Sequence, residues 1–237
     1  MTKLQITKFL VLRTLGNFLI LFMIFGFFAT FGPALFYETQ FRIAQAKGVK
    51  FTISDKEPSE IAKINKTGSQ EAPASMLGGI LSDSKVQELV PSSTEFSVVI
   101  PKIGANEKIS PNIDPSNEKE YLEALKHSIA HAKGSALPGL GGSTYLFAHS
   151  ADNFWDVGRY NAVFYLLKDL ELNDEISVFF NNKRYNYTVY DKKIVDPSEV
   201  EYIASNLGQG EKLILQTCWP PGTAWKRLLI FAKPKNS

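Results

Sequence analysis

Three residues of this chain stand where their types and spacing could do chemistry. Cys218, the only cysteine, sits in Leu213-Ile214-Leu215-Gln216-Thr217-Cys218-Trp219-Pro220-Pro221-Gly222, where an apolar strand-like run breaks into a Pro-Pro-Gly turn. A thiol becomes a useful nucleophile when a base or a cation stabilises its thiolate. His149 directly follows the apolar run Tyr145-Leu146-Phe147-Ala148 and precedes a polar loop, so it too is expected at a strand end. In a small barrel two such ends can meet at one rim. Arg227 comes nine residues after Cys218, on the returning strand of the same hairpin. Paired strands lie ~4.8 Å apart, so a guanidinium there can reach a group bound at the thiol, a proximity that Arg159 and Arg184 lack. Thiol, imidazole and fixed cation together are what acyl transfer requires: a nucleophile, an acid/base and a charge where the oxyanion develops. The bland alternatives are a cysteine packed as a small hydrophobe and an exposed strand arginine.

The other two histidines point elsewhere. His127 and His131 are four apart, near the end of a helix candidate, and no third ligand or His-Glu-x-x-His pattern accompanies them. Solvent-facing or capping roles are expected of both, with no metal site and no cofactor. One cysteine excludes a disulfide framework and any Cys-rich zinc module. Net charge is +2 with the signs interspersed, so there is no electrostatic footprint for nucleic acid.

At 237 residues, 44% of them hydrophobic, the chain can hold one good-sized domain plus extras. Residues 15–36 (LGNFLILFMIFGFFATFGPALF) form a 22-residue stretch without a charge. At ~1.5 Å per residue this stretch spans the ~30 Å hydrocarbon layer as a helix, whereas a signal-peptide core runs only about 7–15 residues. A retained anchor is therefore expected, with residues 1–14 as a cytoplasmic tail. Residues 37–92 read as a stalk with possible helices, rich in Ser, Lys, Glu, Pro, Asn and Gly, which implies that a chain beginning near Ser92 folds on its own. Residues 93–237 read as the catalytic domain. In it, FSVVI (96–100), STYLFA (143–148), a hairpin across Asn181-Asn182, and residues 213–217 and 227–232 are strand candidates. Residues 117–129, 162–170 and 198–206 are helix candidates. At least six short strands with few helices predict a mainly β domain, a closed or nearly closed barrel.

Thr217-Cys218-x-Pro220 followed by Arg227, with His149 upstream and an N-terminal anchor, resembles the sortases, membrane-anchored cysteine transpeptidases of mainly Gram-positive surfaces. The likeness extends through Val99-Ile100-Pro101-Lys102-Ile103-Gly104, Ala124-Leu125, His131, Gly134-Ser135 and Leu137-Pro138-Gly139, and covers residues 95–233. Ala148 stands where many sortases have Gly before the histidine, and the short Cys-to-Arg spacing is closer to the C, D or E groups than to the A type. The resemblance implies an eight-stranded β-barrel with Cys218 as nucleophile, His149 as general acid/base and Arg227 orienting substrate and stabilising the oxyanion. It implies cleavage of an LPXTG-like C-terminal sorting signal through a thioacyl enzyme, then transfer to an amine of a cell-wall precursor or a pilin lysine. Some sortases bind calcium through acidic loop residues; here Asp196, Glu199 and Glu201 read instead as solvated acids at a helix start. The Ser-x-Gly-Cys neighbourhood of the L,D-type wall transpeptidases is absent, since Gln216-Thr217 precedes the thiol. A non-catalytic tethered barrel and a cysteine peptidase that only hydrolyses are the remaining alternatives.

Basic residues flank the apolar stretch almost equally, Lys3, Lys8 and Arg13 before it and Arg42, Lys47 and Lys50 after it. A short basic tail ahead of a long folded domain, together with wall-directed chemistry, sets the expected topology: single-pass, with residues 37–237 outside the cell. Protease added to intact cells is expected to shave the domain; its survival until lysis would contradict this orientation.

Overall fold

Alternating side chains from Phe96 onward build a sheet that has no free edge. The computed structural model describes residues 3–54, 56, 86–149, 163–207, 210–221 and 223–235. In chain order these form helix α1 (Lys3–Ala46), strands β1 (Lys50–Ile53), β2 (Val86–Leu89), β3 (Phe96–Ile100) and β4 (Ala105–Ile113), and helix α2 (Glu118–Leu125). Strands β5 (Ile129–Ala132), β6 (Ser143–Phe147), β7 (Glu175–Phe180) and β8 (Lys183–Val195) follow, then helix α3 (Glu201–Leu207), β9 (Lys212–Trp219) and β10 (Lys226–Pro234). A 3₁₀ helix at Val163–Asp169 precedes β7.

Eight strands close into a barrel in the order β10-β8-β7-β3-β4-β5-β6-β9, so the expected architecture is observed. Closure leaves no row of unpaired backbone groups. Two of the pairings are parallel, β4 with β5 and β6 with β9. The interior is filled by side chains such as Val98, Leu146, Val178, Leu215, Leu228 and Ile230, all buried. The hairpin from β7 to β8 turns where the sequence predicts it. Asn181 and Asn182 have φ of 49° and 58°, the paired left-handed residues that a two-residue hairpin turn demands and that Asn tolerates.

Several elements differ from the expectation. The helix predicted over 117–129 ends at Leu125, and Ile129 begins β5 instead. Its predicted start is observed: the Asn117 side chain accepts from the Glu120 N–H at 3.3 Å. Strand β4 was masked in the sequence by Asn, Glu, Lys and Pro, which blur any alternation. The 198–206 candidate begins only at Glu201, and the 162–170 candidate is the 3₁₀ helix.

The segment read as a stalk is docked at both described ends. Strands β1 and β2 pair in parallel, and Phe51 and Ile53 pack with Leu89 over Val99 and Phe179 on the outside of the barrel. Upstream, α1 runs on past the apolar stretch, so that Phe41 joins the main core and Gln40 and Ala44 are buried. Glu38 Oε2 sits 2.6 Å from Lys168 Nζ and Glu38 Oε1 2.9 Å from Arg42 Nε. Burial pushes the Glu38 carboxyl up, but hydrogen bonds from Lys168 and Arg42 outweigh it and hold the group below the usual range. Residues 57–85, which hold most of the predicted linker, lie outside the described residues.

These contacts sharpen the expectation for a shortened chain. A chain beginning at Ser92 is expected to unfold cooperatively but at a lower temperature than one beginning at Glu38, because Val99 and Phe179 lose their cover. Reversing both charges together, Glu38→Lys with Lys168→Glu, is expected to recover part of the loss caused by either change alone, on the order of 1 kcal/mol of coupling for a half-buried pair. Equal melting midpoints for the two chain lengths would show that the docked elements contribute nothing.

Candidate active site

The site is built by strand register. In the antiparallel β9–β10 pair, Cys218 lies directly opposite Arg227, so both side chains project from the same face of the sheet. On the other flank of β9, the parallel register pairs Phe147 with Gln216, and the Ala148 N–H continues the ladder by donating to the Gln216 carbonyl at 3.1 Å. Carried two residues further, this register sets His149 beside Cys218. His149, Cys218 and Arg227 therefore form one row across three adjacent strands, with neighbouring backbones ~4.8 Å apart.

Which face carries the row follows from the alternation on β9. Leu213, Leu215 and Thr217 are buried, and both leucines belong to the barrel core. Ile214, Gln216 and Cys218 point the other way, and Ile214 packs outside the barrel with Val195, Leu229 and Phe231. The row thus lies on the outer surface of the sheet, not on a rim as two strand ends alone would suggest. Cys218 is half-buried and unbridged, and His149 is likewise half-buried.

The turn from β9 to β10 holds Arg227 in place. The Trp219–Pro220 peptide is cis, and the Thr223 N–H and hydroxyl both donate to the Pro220 carbonyl, at 3.0 and 2.8 Å. Arg227 Nη1 donates to the carbonyls of Ala224 and Lys226, each at 3.1 Å. Among the described residues no carboxylate pairs with this guanidinium, and its other N–H groups are left for an incoming acceptor. Arg184 is far from this row in the fold, bound through Nε to Asn186 Oδ1 on β8 and Ser177 Oγ on β7, at 2.9 and 3.3 Å. Arg159 lies outside the described residues.

The reading missed one neighbour of the row. Tyr145 lies on β6 four residues before His149, and counting back by two places it on the same outer face. Burial pushes its phenol well above the ordinary value; the Arg227 charge opposes this and Cys218 adds to it. The signal was available in the alternation Tyr145, Phe147, His149, but nothing in an apolar strand marks one aromatic ring as special.

The two remaining histidines are separated by the end of α2, so the shared helical face considered for them does not form. His127 is exposed beside Glu123. His131 is neither solvent-facing nor a cap, since it lies within β5 and is 3% exposed. Its Nδ1 accepts the Asn112 N–H at 3.1 Å, which places the proton of the neutral ring on Nε2, and Nε2–H faces the Ala136 carbonyl at 3.2 Å and Ser135 Oγ at 2.9 Å. Among the acids weighed for calcium, Glu199 turns its carboxylate onto the Asp196 N–H at 2.7 Å, and Glu201 opens α3.

The chain is similar to known proteins in sequence and fold. A family model described as the sortase domain matches residues 98–235, and the chain belongs to the sortase family. Sortase D of Bacillus subtilis (strain 168) is 28% identical over 137 residues, which are 56% of this chain and 60% of that protein. The chain thus spans less than two thirds of that relative. Sortase C-1 from Actinomyces oris superposes with a TM-score of 0.50 at 24% identity, covering 60% of this chain and 74% of the other. Sortase C1 from Streptococcus suis gives 0.50 at 22% identity, over 61% and 75%. These two likenesses show a shared fold.

His131 generates a test of its own. Burial pulls its imidazole below the ordinary value, against a smaller opposite effect of the Ala136 carbonyl. In the unfolded chain the ring takes up a proton near pH ~6.5, while the folded ring stays neutral to lower pH. Its contribution to stability is therefore complete above pH ~6.5 and is lost as pH falls toward the folded value, at no more than about 1.4 kcal/mol per pH unit. Urea midpoints measured at pH 7.5 and 5.5 should fall less in His131→Asn, which keeps an acceptor for Asn112 but cannot titrate. Identical falls in both proteins would remove His131 from this role.

Proposed function

We propose that this chain is a membrane-anchored sortase that cleaves an LPXTG-like sorting signal and transfers the acyl part to an amine. The observation that carries the reading is the pairing of Cys218 with Arg227 across β9 and β10, beside a β6–β9 register that ends two residues before His149 and Cys218. It supports an imidazole on one side of the thiol and a guanidinium on the other. The apolar helix at Lys3–Ala29, long enough to cross a membrane, supports the anchored placement.

In this mechanism the Cys218 proton passes to His149, and the thiolate Sγ attacks the carbonyl carbon of the scissile Thr–Gly bond. Arg227, paired across from Cys218, supplies a positive donor to the developing oxyanion, with Nη1 tethered to the Ala224 and Lys226 carbonyls. Collapse of the tetrahedral species breaks the C–N bond, and protonated His149 gives its proton to the leaving Gly amine. The thioacyl enzyme is then attacked by the amine of a cell-wall precursor or a pilin lysine. His149 accepts that amine's proton, the new amide forms as the C–S bond breaks, and His149 returns the proton to the expelled thiolate to regenerate the thiol. Water on the same intermediate would yield the acid, so the partition between amine and water defines the enzyme as transferase or hydrolase.

An LPXTG-like peptide with a millimolar amine is expected to give an amide adduct by mass spectrometry beside any acid, because a bound amine gains effective molarity over water at ~55 M. Cys218→Ala should abolish both products and His149→Ala nearly so. Arg227→Lys keeps the charge but loses the planar fork, and kcat should fall by roughly 10²–10³ without unfolding. Acid as the sole product with every amine tried would leave a cysteine peptidase, and an unchanged kcat in Arg227→Lys would take the oxyanion role from that residue.

A further inference from the structure

The end of α1 is clamped onto the barrel by both apolar and charged contacts. Phe41 is buried in the main core, in one cluster with Phe164, Leu166 and Leu167 of the 3₁₀ helix at Val163–Asp169. Around it, side chains of alternating charge close the joint. Lys168 Nζ lies 2.6 Å from Glu38 Oε2 and 3.2 Å from Asp169 Oδ2. Arg42 lies 2.9 Å from Glu38 Oε1 and 3.8 Å from Asp169 Oδ1. Lys168, Glu38 and Asp169 keep only 19%, 23% and 18% of their side-chain surface exposed. Ion pairs withdrawn from water this far add little net stability, and their best-attested use is to fix one register.

The clamped 3₁₀ helix supports the strands that carry the chemistry. It packs against β9 and β10, which hold Cys218 and Arg227. The residues next to those two, Trp219 and Leu228, turn inward to the same core as Phe164 and Phe41. On β8, Lys192 Nζ donates to the carbonyls of Lys168 and Leu170, the latter at 3.1 Å. The chain that leaves β6 at His149 next enters the described residues at Val163, where this helix begins. Each residue of the proposed row thus connects, through its strand or its chain, to one short helix. A 3₁₀ turn has poorer hydrogen-bond geometry than an α-helix, so its position depends on the side chains that hold it. Of these, the Glu38–Lys168 pair is the one that reaches across to the membrane anchor.

We propose that Lys168 is a positioning residue for acyl transfer: by binding Glu38 of the anchor helix it fixes the 3₁₀ helix behind the Cys218–Arg227 hairpin, so that full turnover requires a docked anchor. It touches neither substrate nor thiol. The inference rests on the sortase reading and adds to it a dependence of turnover on the anchor. Glu38→Gln and Lys168→Met each remove one partner and keep the bulk of the side chain. Asp169 still faces Lys168 in the first and Arg42 still faces Glu38 in the second, so neither change leaves a lone buried charge. In the full-length chain in detergent, well below the melting temperature, each should lower kcat for an LPXTG-type peptide and an amine about 3- to 10-fold. That is less than the ~100-fold which a misplacement of ~1 Å can cost. KM for peptide and for amine should stay within about twofold, because the outer face that receives them is unchanged. The double variant should lose no more than either single one, since both remove the same contact. Alkylation of Cys218 by iodoacetamide should slow in all three variants, because a looser Arg227 supports the thiolate less. A normal kcat with a lowered melting temperature would reduce the pair to a structural one and overturn the proposal. A rise in KM alone, or losses that add in the double variant, would overturn it too. Failure of the wild-type chain to turn over any such peptide would sink the sortase reading, and the alkylation rates would still decide on Lys168: slower in the variants supports its positioning role, equal to wild type overturns it.

Discussion

The parallel pairing of β6 with β9 is the constraint on which the rest of the site depends. The two strands are separated by more than sixty residues of sequence, and the register between them alone decides whether an imidazole stands beside the thiol. A slip of one residue would turn Tyr145, Phe147 and His149 into the barrel and Leu146 out of it. The buried set Leu146, Leu213 and Leu215 resists that slip, because each would exchange the core for solvent. The hydrophobic pattern that closes the barrel and the chemistry on its outside are thus one and the same specification, read from opposite faces of the strands.

Support for this register comes from the loop between β5 and β6. Glu211, at the entry to β9, accepts from the Gly139 N–H at 3.2 Å and from the Tyr187 hydroxyl at 3.0 Å, tying the start of β9 to the loop before β6 and to β8. Gly139 has φ of 79°, and a Cβ there would meet the Tyr185 ring at 2.5 Å, so both its conformation and its neighbour demand glycine. Ser135, which receives the Tyr145 N–H, also touches His131 Nε2 and donates to the Ala132 carbonyl at 2.8 Å. The buried histidine and the β6 backbone at Tyr145 are therefore joined through one serine hydroxyl.

Much of the domain was legible in the residues because its strands alternate strongly and its turns carry clear signals. Asn181-Asn182 between two β runs, and the run into Trp219-Pro220-Pro221-Gly222, gave the two hairpins, and with them the proximity of Cys218 and Arg227. His149 could be placed at a strand end for the same reason. That β6 lies beside β9 could not be read from residue types, since a parallel neighbour leaves no turn between the strands to announce it. Strand β5 was lost because Ile129-Ala130-His131-Ala132 is short and continues the helical spacing of α2, and its fully buried setting overrides that spacing. Strand β1 was lost to polar composition around Phe51 and Ile53, whose burial comes from β3 and β7 and not from any partner close in sequence.

Placement of the row on the outside of the barrel has a consequence for what the fold can process. The interior is filled by side chains such as Val98, Leu146 and Ile230, each fully buried, so no substrate can enter it. An outer face imposes no limit on the length of a polypeptide laid along it, and it leaves His149 and Arg227 approachable from opposite sides of the thiol. The docked end of α1, with Phe41 in the core and Glu38 on Lys168, joins the anchor helix to this barrel through packed side chains.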